Sequence, residues 1–399
     1  MMVLETTARG AAAVLLLAGI VLAVRLGAAD LAQKGKTLDG LERAVRLAPG
    51  NAEYHRWLGV MLLTRDPQRS EREFREAVRL NPWDADGRMH LGTLLEAKGQ
   101  MQEAERQLIE TAKVDATYLP RWALANFEFR QGKMPEFWTW ARAAVPMSYG
   151  DRSALFDLAA ATGETEVAER LGLAGDEINA NYLGWAITKS PAGEVRRAAL
   201  RVAQGQRPER ALLQWACDRL LDLGEAGAAL EVWNAGVKSR MILAGAAARG
   251  RITNGAFTVV PSGSGFDWAV DKPNGGAVVR ETERGGLRIR FTGDQAEQGL
   301  VLWQRVAVSP GASYRVRMKY RTIGVKQNSG LKWIVGSAKE QLAAMDGYLW
   351  AEDESAGDFQ FRVPNDVQWV RLALKYERPQ GEMRMDGDVV LESVELMPL

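Results

Sequence analysis

The chain has 399 residues, 47% hydrophobic and 25% charged, with 51 Lys and Arg against 50 Asp and Glu. Such a length calls for two or three domains, and the composition rules out wholesale disorder, collagen and a polytopic membrane protein. A net charge of +1 supplies no global pull toward nucleic acid, and two His (His55, His90) with one Cys (Cys217) cannot build a disulfide or a Cys/His zinc site within the chain.

Residues 1–9 form a short tail. Residues 10–24 are an uncharged run of fifteen, followed by Arg25 and Leu26-Gly27-Ala28-Ala29. At about 1.5 Å per residue the run spans ~22 Å, and the stretch to Ala29 supplies the rest of a ~30 Å bilayer core if Arg25 snorkels. The favoured reading of 10–29 is a transmembrane anchor. A cleaved signal peptide is the alternative, with Gly27-x-Ala29 as its small-residue cleavage site. An apolar first helix in a soluble core is the third. Arg25, Lys34 and Lys36 follow the segment. That bias alone would leave the body in the cytoplasm, but long domains translocate largely regardless of it.

A repeat follows. Residues 41–49, LERAVRLAP, align with 74–82, FREAVRLNP, at an offset of 33. The register continues through Ala52/Ala85 and Leu58-Gly59/Leu91-Gly92. In a third copy Arg88, Leu91, Gly92, Gly99, Met101 and Glu103 meet Arg121, Leu124, Ala125, Gly132, Met134 and Glu136. Leu58-Gly59 sets a large residue beside a small one so that a partner helix can come close. Gly99 and Gly132 suit turns that end helices, and Pro82 stops one. The unit resembles the tetratricopeptide repeat and its W-x2-L-G-x2-Y…A-x3-F…P pattern. It departs in its 33-residue spacing, in His55 and Arg88 at the Trp position, and in Leu62 and Leu95 at the Tyr position. The resemblance covers about residues 38–145. It implies stacked helical hairpins whose concave face takes a peptide or protein partner.

Beyond 145 the chain stays helical without a clean repeat, with amphipathic segments at 151–162, 164–173, 191–204, 211–224 and 225–238. A solenoid over 30–245 is therefore expected. Its tryptophans (57, 83, 122, 138, 140, 185, 215, 233) read as wedges between helices rather than a ligand box. His55 and His90, at non-equivalent positions, read as ordinary helix residues.

Near Gly245 the hydrophobic period switches from 3.6 to 2. Strands are predicted at 287–291, 300–308, 314–321, 331–335, 359–363, 370–376 and 389–396, separated by turns such as Gly285-Gly286, Ser309-Pro310-Gly311 and Asp386-Gly387. Residues 337–345 suit a short helix. Seven strands in ~150 residues make a two-sheet sandwich over 246–399. Several segments resemble jelly-roll, galactose-binding-like carbohydrate-binding modules. Asn254-Gly255-Ala256-Phe257 with Trp268 looks like their opening motif, the stretch from Gln304 to Tyr314 like their strand-turn-strand hallmark, and residues 390–396 like their closing strand. Glu392-Ser393 stands where paired Asp residues are common, which weakens the case for a calcium site. The fold class is thus multidomain α plus β: a membrane helix, a tetratricopeptide-like solenoid and an antiparallel jelly roll.

Alternation also suggests a ligand surface. If Tyr314, Val316 and Met318 face inward, then Arg315, Arg317 and Lys319 face outward; likewise Trp303 with Arg305, and Arg288 with Arg290. Consecutive strands neighbour one another about two-thirds of the time, so these seven residues would share one basic face carrying a tryptophan. An aromatic ring stacks on sugars while Arg forks grip carboxylate or phosphate. The competing reading is that outward cations keep strands soluble. Asp267, Glu281, Glu352, Asp353 and Glu354 are available for glycosidase-like chemistry, but nothing in the sequence pairs them. No catalytic residue, metal or cofactor is assigned, and no nucleic-acid partner. Proteins resembling the whole arrangement occur near bacterial exopolysaccharide or O-antigen machinery. The resemblance implies a single-pass inner-membrane protein with a periplasmic body (or a secreted one after cleavage), a protein partner for the solenoid and a polysaccharide for the sandwich. The alternatives are a pure assembly scaffold and a glycan-active enzyme.

Overall fold

The computed structural model describes residues 2–270, 278–281, 286–351 and 353–399; of 2–11 and 278–281 it describes the backbone. Glu352 and Gly285 lie outside the described residues, as does the side chain of Glu281. The chain divides into two compact units, Met1–Gly172 and Leu173–Leu399.

The first unit is built of helices: α1 (Met2–Lys34), α2 (Leu38–Leu47), α3 (Ala52–Leu62), α4 (Pro67–Leu80), α5 (Ala85–Ala97), α6 (Met101–Val114), α7 (Tyr118–Arg130), α8 (Met134–Ala144), α9 (Ser153–Ala160) and α10 (Val167–Leu171). The stretches 41–49 and 74–82 lie on α2 and α4 and the Leu-Gly pairs on α3 and α5, so the offset of 33 relates α2 to α4 and links the successive hairpins α3/α4, α5/α6 and α7/α8. Asn51, Asp66 and Asp84 cap α3, α4 and α5 by accepting from the N–H of Glu53, Arg69 and Gly87. Gly99 and Gly132 end α5 and α7 at φ 78° and 71°, a region closed to most residues. The small residue of each Leu-Gly pair is required by packing: a Cβ on Gly59 would stand 2.7 Å from the Phe74 ring, and one on Gly92 2.9 Å from Leu108. Helix α10 is shorter than the predicted 164–173, because Gly163 and Gly172, both at positive φ, bracket it closely.

The end of α1 belongs to this packing. Ala29 is fully buried against Ala44, Ala48 and Tyr54, and the Tyr54 hydroxyl donates to Asp30. A Cβ on Gly40 of α2 would lie 2.3 Å from the Ala32 carbonyl oxygen, so α1 and α2 touch backbone to backbone. The last turns of α1 are thus the first helix of a hairpin closed by α2. Upstream, Val14, Leu15, Leu16, Leu17, Ile20, Val21, Leu22 and Val24 are all exposed. They cover every side of the helix, which corrects the third reading: no soluble core covers this segment. From Ala12 to Lys34 the helix is long and apolar enough to cross a membrane by length and composition.

The second unit opens with α11 (Asp176–Lys189), α12 (Ala192–Ala203), α13 (Arg210–Asp222) and α14 (Ala226–Lys238). Among the described residues ten strands follow: β1 (Ala269–Val270), β2 (Val278–Glu281), β3 (Leu287–Thr292), β4 (Gln298–Ala307), β5 (Ser313–Ile323), β6 (Leu331–Gly336), β7 (Gln341–Ala344), β8 (Ser355–Arg362), β9 (Trp369–Glu377) and β10 (Asp386–Pro398). They form two five-stranded antiparallel sheets, β1-β4-β9-β6-β7 and β2-β3-β10-β5-β8. The predicted short helix at 337–345 is instead a turn followed by β7. The Ser337 hydroxyl caps that turn by accepting from Lys339 and Glu340, and the backbone of Gln341–Ala344 pairs with β6.

The sandwich core holds Trp268, Trp333, Phe291, Val316 and Leu372, drawn from both inner faces. The opening motif closes on itself. Trp268 Nε1 donates to the Asn254 carbonyl at 3.1 Å, and a Cβ on Gly255 would stand 2.3 Å from the Val394 carbonyl oxygen. Helices α13 and α14 seat on the sandwich. Asp218 accepts from Gly265 N (2.9 Å) and Arg305 (3.2 Å), Trp369 Nε1 donates to the Leu221 carbonyl (2.8 Å), and Trp233 meets Phe266 edge to face.

Candidate binding surfaces

The seven predicted ligand residues do not share a face. Trp303 and Arg305 lie on β4 in one sheet; Arg288 and Arg290 on β3, and Arg315, Arg317 and Lys319 on β5, lie in the other. The single basic face is therefore corrected to two opposed ones. The cause is jelly-roll connectivity, which sends successive strands β3, β4 and β5 to alternating sheets, whereas the expectation rested on consecutive strands pairing.

On the second sheet all of these cations but Lys319 stand opposite acids. Arg288 reaches Asp388 at 2.7 Å and Arg290 at 2.8 Å, and the guanidinium groups, Arg290 foremost, hold the Asp388 carboxyl below the usual range. Arg315 stands 3.4 Å from Asp358, while Arg317 lies in register between Glu395 and Asp358. Lys319 sits between Ser393 and Ala356. Arg305 is occupied as well: it bridges Asp218 and Asp222 of α13, both at 3.2 Å, and lies over the Trp369 ring. It belongs to the seat of the helices.

Trp303 has different company. Its register partner on β9 is Ala373, whose partner on β6 is Ile334, followed by Ala344 on β7. A half-buried indole thus stands in one row with Ala373, itself buried, and the half-buried Ile334 and Ala344 on the outer side of the first sheet. The Arg371 guanidinium lies 5.0 Å from the indole centroid. In the next row Lys332 and Lys375 are paired across β6 and β9; Lys332 lies 6.0 Å from the Tyr348 ring, and Lys375 contacts Glu377 at 2.8 Å. Aromatic and aliphatic area bordered by cations can stack on a sugar ring and hold an anionic substituent. Neither Arg371, Lys332, Lys375, Ile334 nor Tyr348 was singled out from sequence. The signal was present in the alternation of β6 and β9, but their pairing with β4 is non-local. A cleft of about 140 Å³ between Gly224, Lys339, Asp366 and Trp369 is too small for a typical ligand pocket.

The first unit carries a second surface. At offset 33, Arg56, Met89 and Trp122 are equivalent, as are Trp57, His90 and Ala123, and all six are half-buried along α3, α5 and α7. Lys36 lies 4.3 Å and Arg56 5.2 Å from the Trp57 ring, while Arg56 pairs with Asp86 at 2.7 Å. Arg130 grips Glu96 through two 2.8 Å bonds. The strip is amphipathic and continuous from one hairpin to the next.

Several buried titratable groups are held by fixed partners. His55 is buried between Glu73 (2.7 Å) and the Pro49 carbonyl (3.0 Å). Burial opposes its charge, yet these partners hold its pKa above the ordinary value. Burial lowers that of His90, which stacks on Phe74. Asp267 is buried and accepts from Ser262 N (2.8 Å) and Trp268 N (2.9 Å), while Asp353 and Glu354 are exposed. Among the described residues no group of three or more His, Cys, Asp or Glu is placed to hold a metal.

Together these features make the first unit a tetratricopeptide-like solenoid and the sandwich a carbohydrate-binding-module-like jelly roll. No family model and no curated protein matches the chain. Among solved structures it is similar to a CBM4 structure (16% identity over 37% of this chain and 99% of that one, TM-score 0.30). It is also similar to YrrB, a TPR protein with an unusual peptide-binding site (10% identity, 51% and 94% coverage, TM-score 0.28). A third is Pseudomonas aeruginosa PilF (13% identity, 55% and 90% coverage, TM-score 0.28).

Proposed function

We propose that the protein is a non-catalytic, membrane-tethered scaffold of the cell envelope. In this reading the solenoid takes a protein partner along α3, α5 and α7, and the first sheet takes an exported polysaccharide, preferably an acidic one. The observation that carries the glycan part is the Trp303–Ala373–Ile334 row with Arg371 over the indole and Lys332 beside it. Tethering is supported by the bare apolar length of α1. Retention of that helix is supported by Ala29, a core residue that cleavage after the Gly27-x-Ala29 site would remove. With the body outside the cytoplasm, the sandwich meets envelope glycans.

Affinity electrophoresis through acidic polysaccharides tests this. Retardation of the parent chain, abolished by Trp303→Ala with Lys332→Ala but kept by Arg317→Ala on the opposite sheet, is the expected result. Unchanged melting of the double variant excludes unfolding as the cause. Mobility unaffected by every polysaccharide, with a membrane protein co-purifying, would leave a pure assembly scaffold.

A further inference from the structure

The direction in which α1 leaves its hairpin bears on the rest of the first unit. Hairpins joined by short loops alternate direction, so α1, α3, α5 and α7 run the same way. Their N-terminal ends share one edge with the α2–α3, α4–α5 and α6–α7 loops. Ala29 already packs beside Ala48 and Tyr54 at that edge. The fifteen uncharged residues before Arg25 therefore project beyond it, by ~22 Å at 1.5 Å per residue.

Exposed apolar side chains are concentrated on the same edge. Outside α1, the large ones in the described part of this unit are Trp83 (77% exposed), Leu119 (57%), Met147 (39%), Tyr149 (99%) and Met101 (38%). The first four lie in, or within two residues of, the segments leading into α5, α7 and α9; only Met101 lies at the opposite turns. Trp83 and Tyr149 both stand in the segments just before a helix, α5 and α9. A soluble edge gains nothing from bare Trp and Tyr at its loop tips, whereas the headgroup layer of a bilayer is where such amphipathic rings settle. Arg46, Arg79 and Lys113, in the last turns reaching this edge, pair with Glu42, Glu76 and Glu110. Glu53, Asp86 and Asp151, exposed at or just before the starts of α3, α5 and α9, add acids at this edge, so neutral lipid is the appropriate probe.

We infer that this edge lies on the bilayer surface, with Trp83, Leu119 and Tyr149 in the headgroup layer of the membrane that α1 crosses. The inference rests on the tethering proposed above. The test uses the full chain in phosphatidylcholine vesicles, spin-labelled at single cysteines replacing Trp83, Leu119 or Tyr149. Leu17→Cys and Gln100→Cys serve as hydrocarbon and aqueous references, and buried Cys217 is left unlabelled. All five positions are exposed, so the fold is not at stake. The expected ratio of oxygen to nickel-complex accessibility at the three edge sites is several-fold above that at Gln100 and below that at Leu17. If Leu17 reads as hydrocarbon while the three edge sites match Gln100, this inference falls and the tether stands; a protein-docking edge gives that result in pure lipid. If Leu17 itself reads as aqueous, tether and inference fall together.

Discussion

Glu128 on α7 is the most exposed to test of the buried charges. Its side chain is 1% exposed, and the nearest cation, Lys133 Nζ, stands 3.7 Å away while held by Glu105 at 2.6 Å. Burial, and then the negative charge of Glu105, push the Glu128 pKa from 4.5 up to about 7. A raised carboxyl keeps its proton in the folded chain where the unfolded chain has lost it. Its contribution is thus fully present below about pH 4.5 and is lost as pH rises through 7. At about 1.36 kcal/mol per tenfold change in acidity, a rise from 4.5 to about 7 bounds the loss near ~3 kcal/mol. Glu128→Gln keeps the shape without the charge. It should match the parent at pH 4.5 and exceed it by about 2–3 kcal/mol at about pH 8. For a unit of this size that is ~4–10 °C in Tm. Helical circular dichroism during urea and thermal unfolding of the solubilised full chain, repeated across this range, measures it. A difference between the two chains that does not vary with pH would refute the reasoning.

Two further outcomes follow from packing. Arg305→Ala removes the bridge to Asp218 and Asp222 and the stack on Trp369, and should lower the stability of the second unit by about 1–3 kcal/mol while polysaccharide retardation per folded molecule stays unchanged. Retardation lost with Arg305 in a still-folded protein would place it in the ligand site. Gly59→Ala drives a Cβ to 2.7 Å from the buried Phe74 ring and should cost about 1–2 kcal/mol, whereas Gly184→Ala on α11, with nothing within 4 Å, should gain up to about 1 kcal/mol by helix propensity. Chemical denaturation of the two variants decides it, and a Gly59→Ala chain as stable as the parent would contradict the close helix approach.

What could be read from sequence followed from whether the determining contacts are local. The three hairpins were legible because Leu58-Gly59 and Leu91-Gly92 repeat a large-small contact at fixed offset, and a helix pair packs its own neighbour. Helix α11 escaped notice. Its buried residues, Tyr182, Leu183, Trp185, Ala186 and Ile187, do fall at i, i+3 and i+4, but all lie in the second half of the helix, behind the polar-rich stretch 176–181, so the period runs for barely two turns. In the sandwich each strand's inward and outward sides were legible, since alternation is a property of one strand. Which strands share a sheet was not. The partner of β4 is β9, more than sixty residues on, so the companions of Trp303 on the first sheet could not be read beforehand. The same gap placed Arg305 in a ligand site when its partners are Asp218 and Asp222 of a helix nearly ninety residues earlier.

The fusion of α1 with the first hairpin has a mechanical consequence. A receptor on a floppy stalk samples all tilts, but here a single helical rod runs into the packing at Ala29 and is pinned by the Tyr54–Asp30 bond. Torque on the first unit is passed straight to the rod, so rotation of that helix about its own axis would sweep the Trp57 strip through the same angle, and whatever lies beside it would sense the turn.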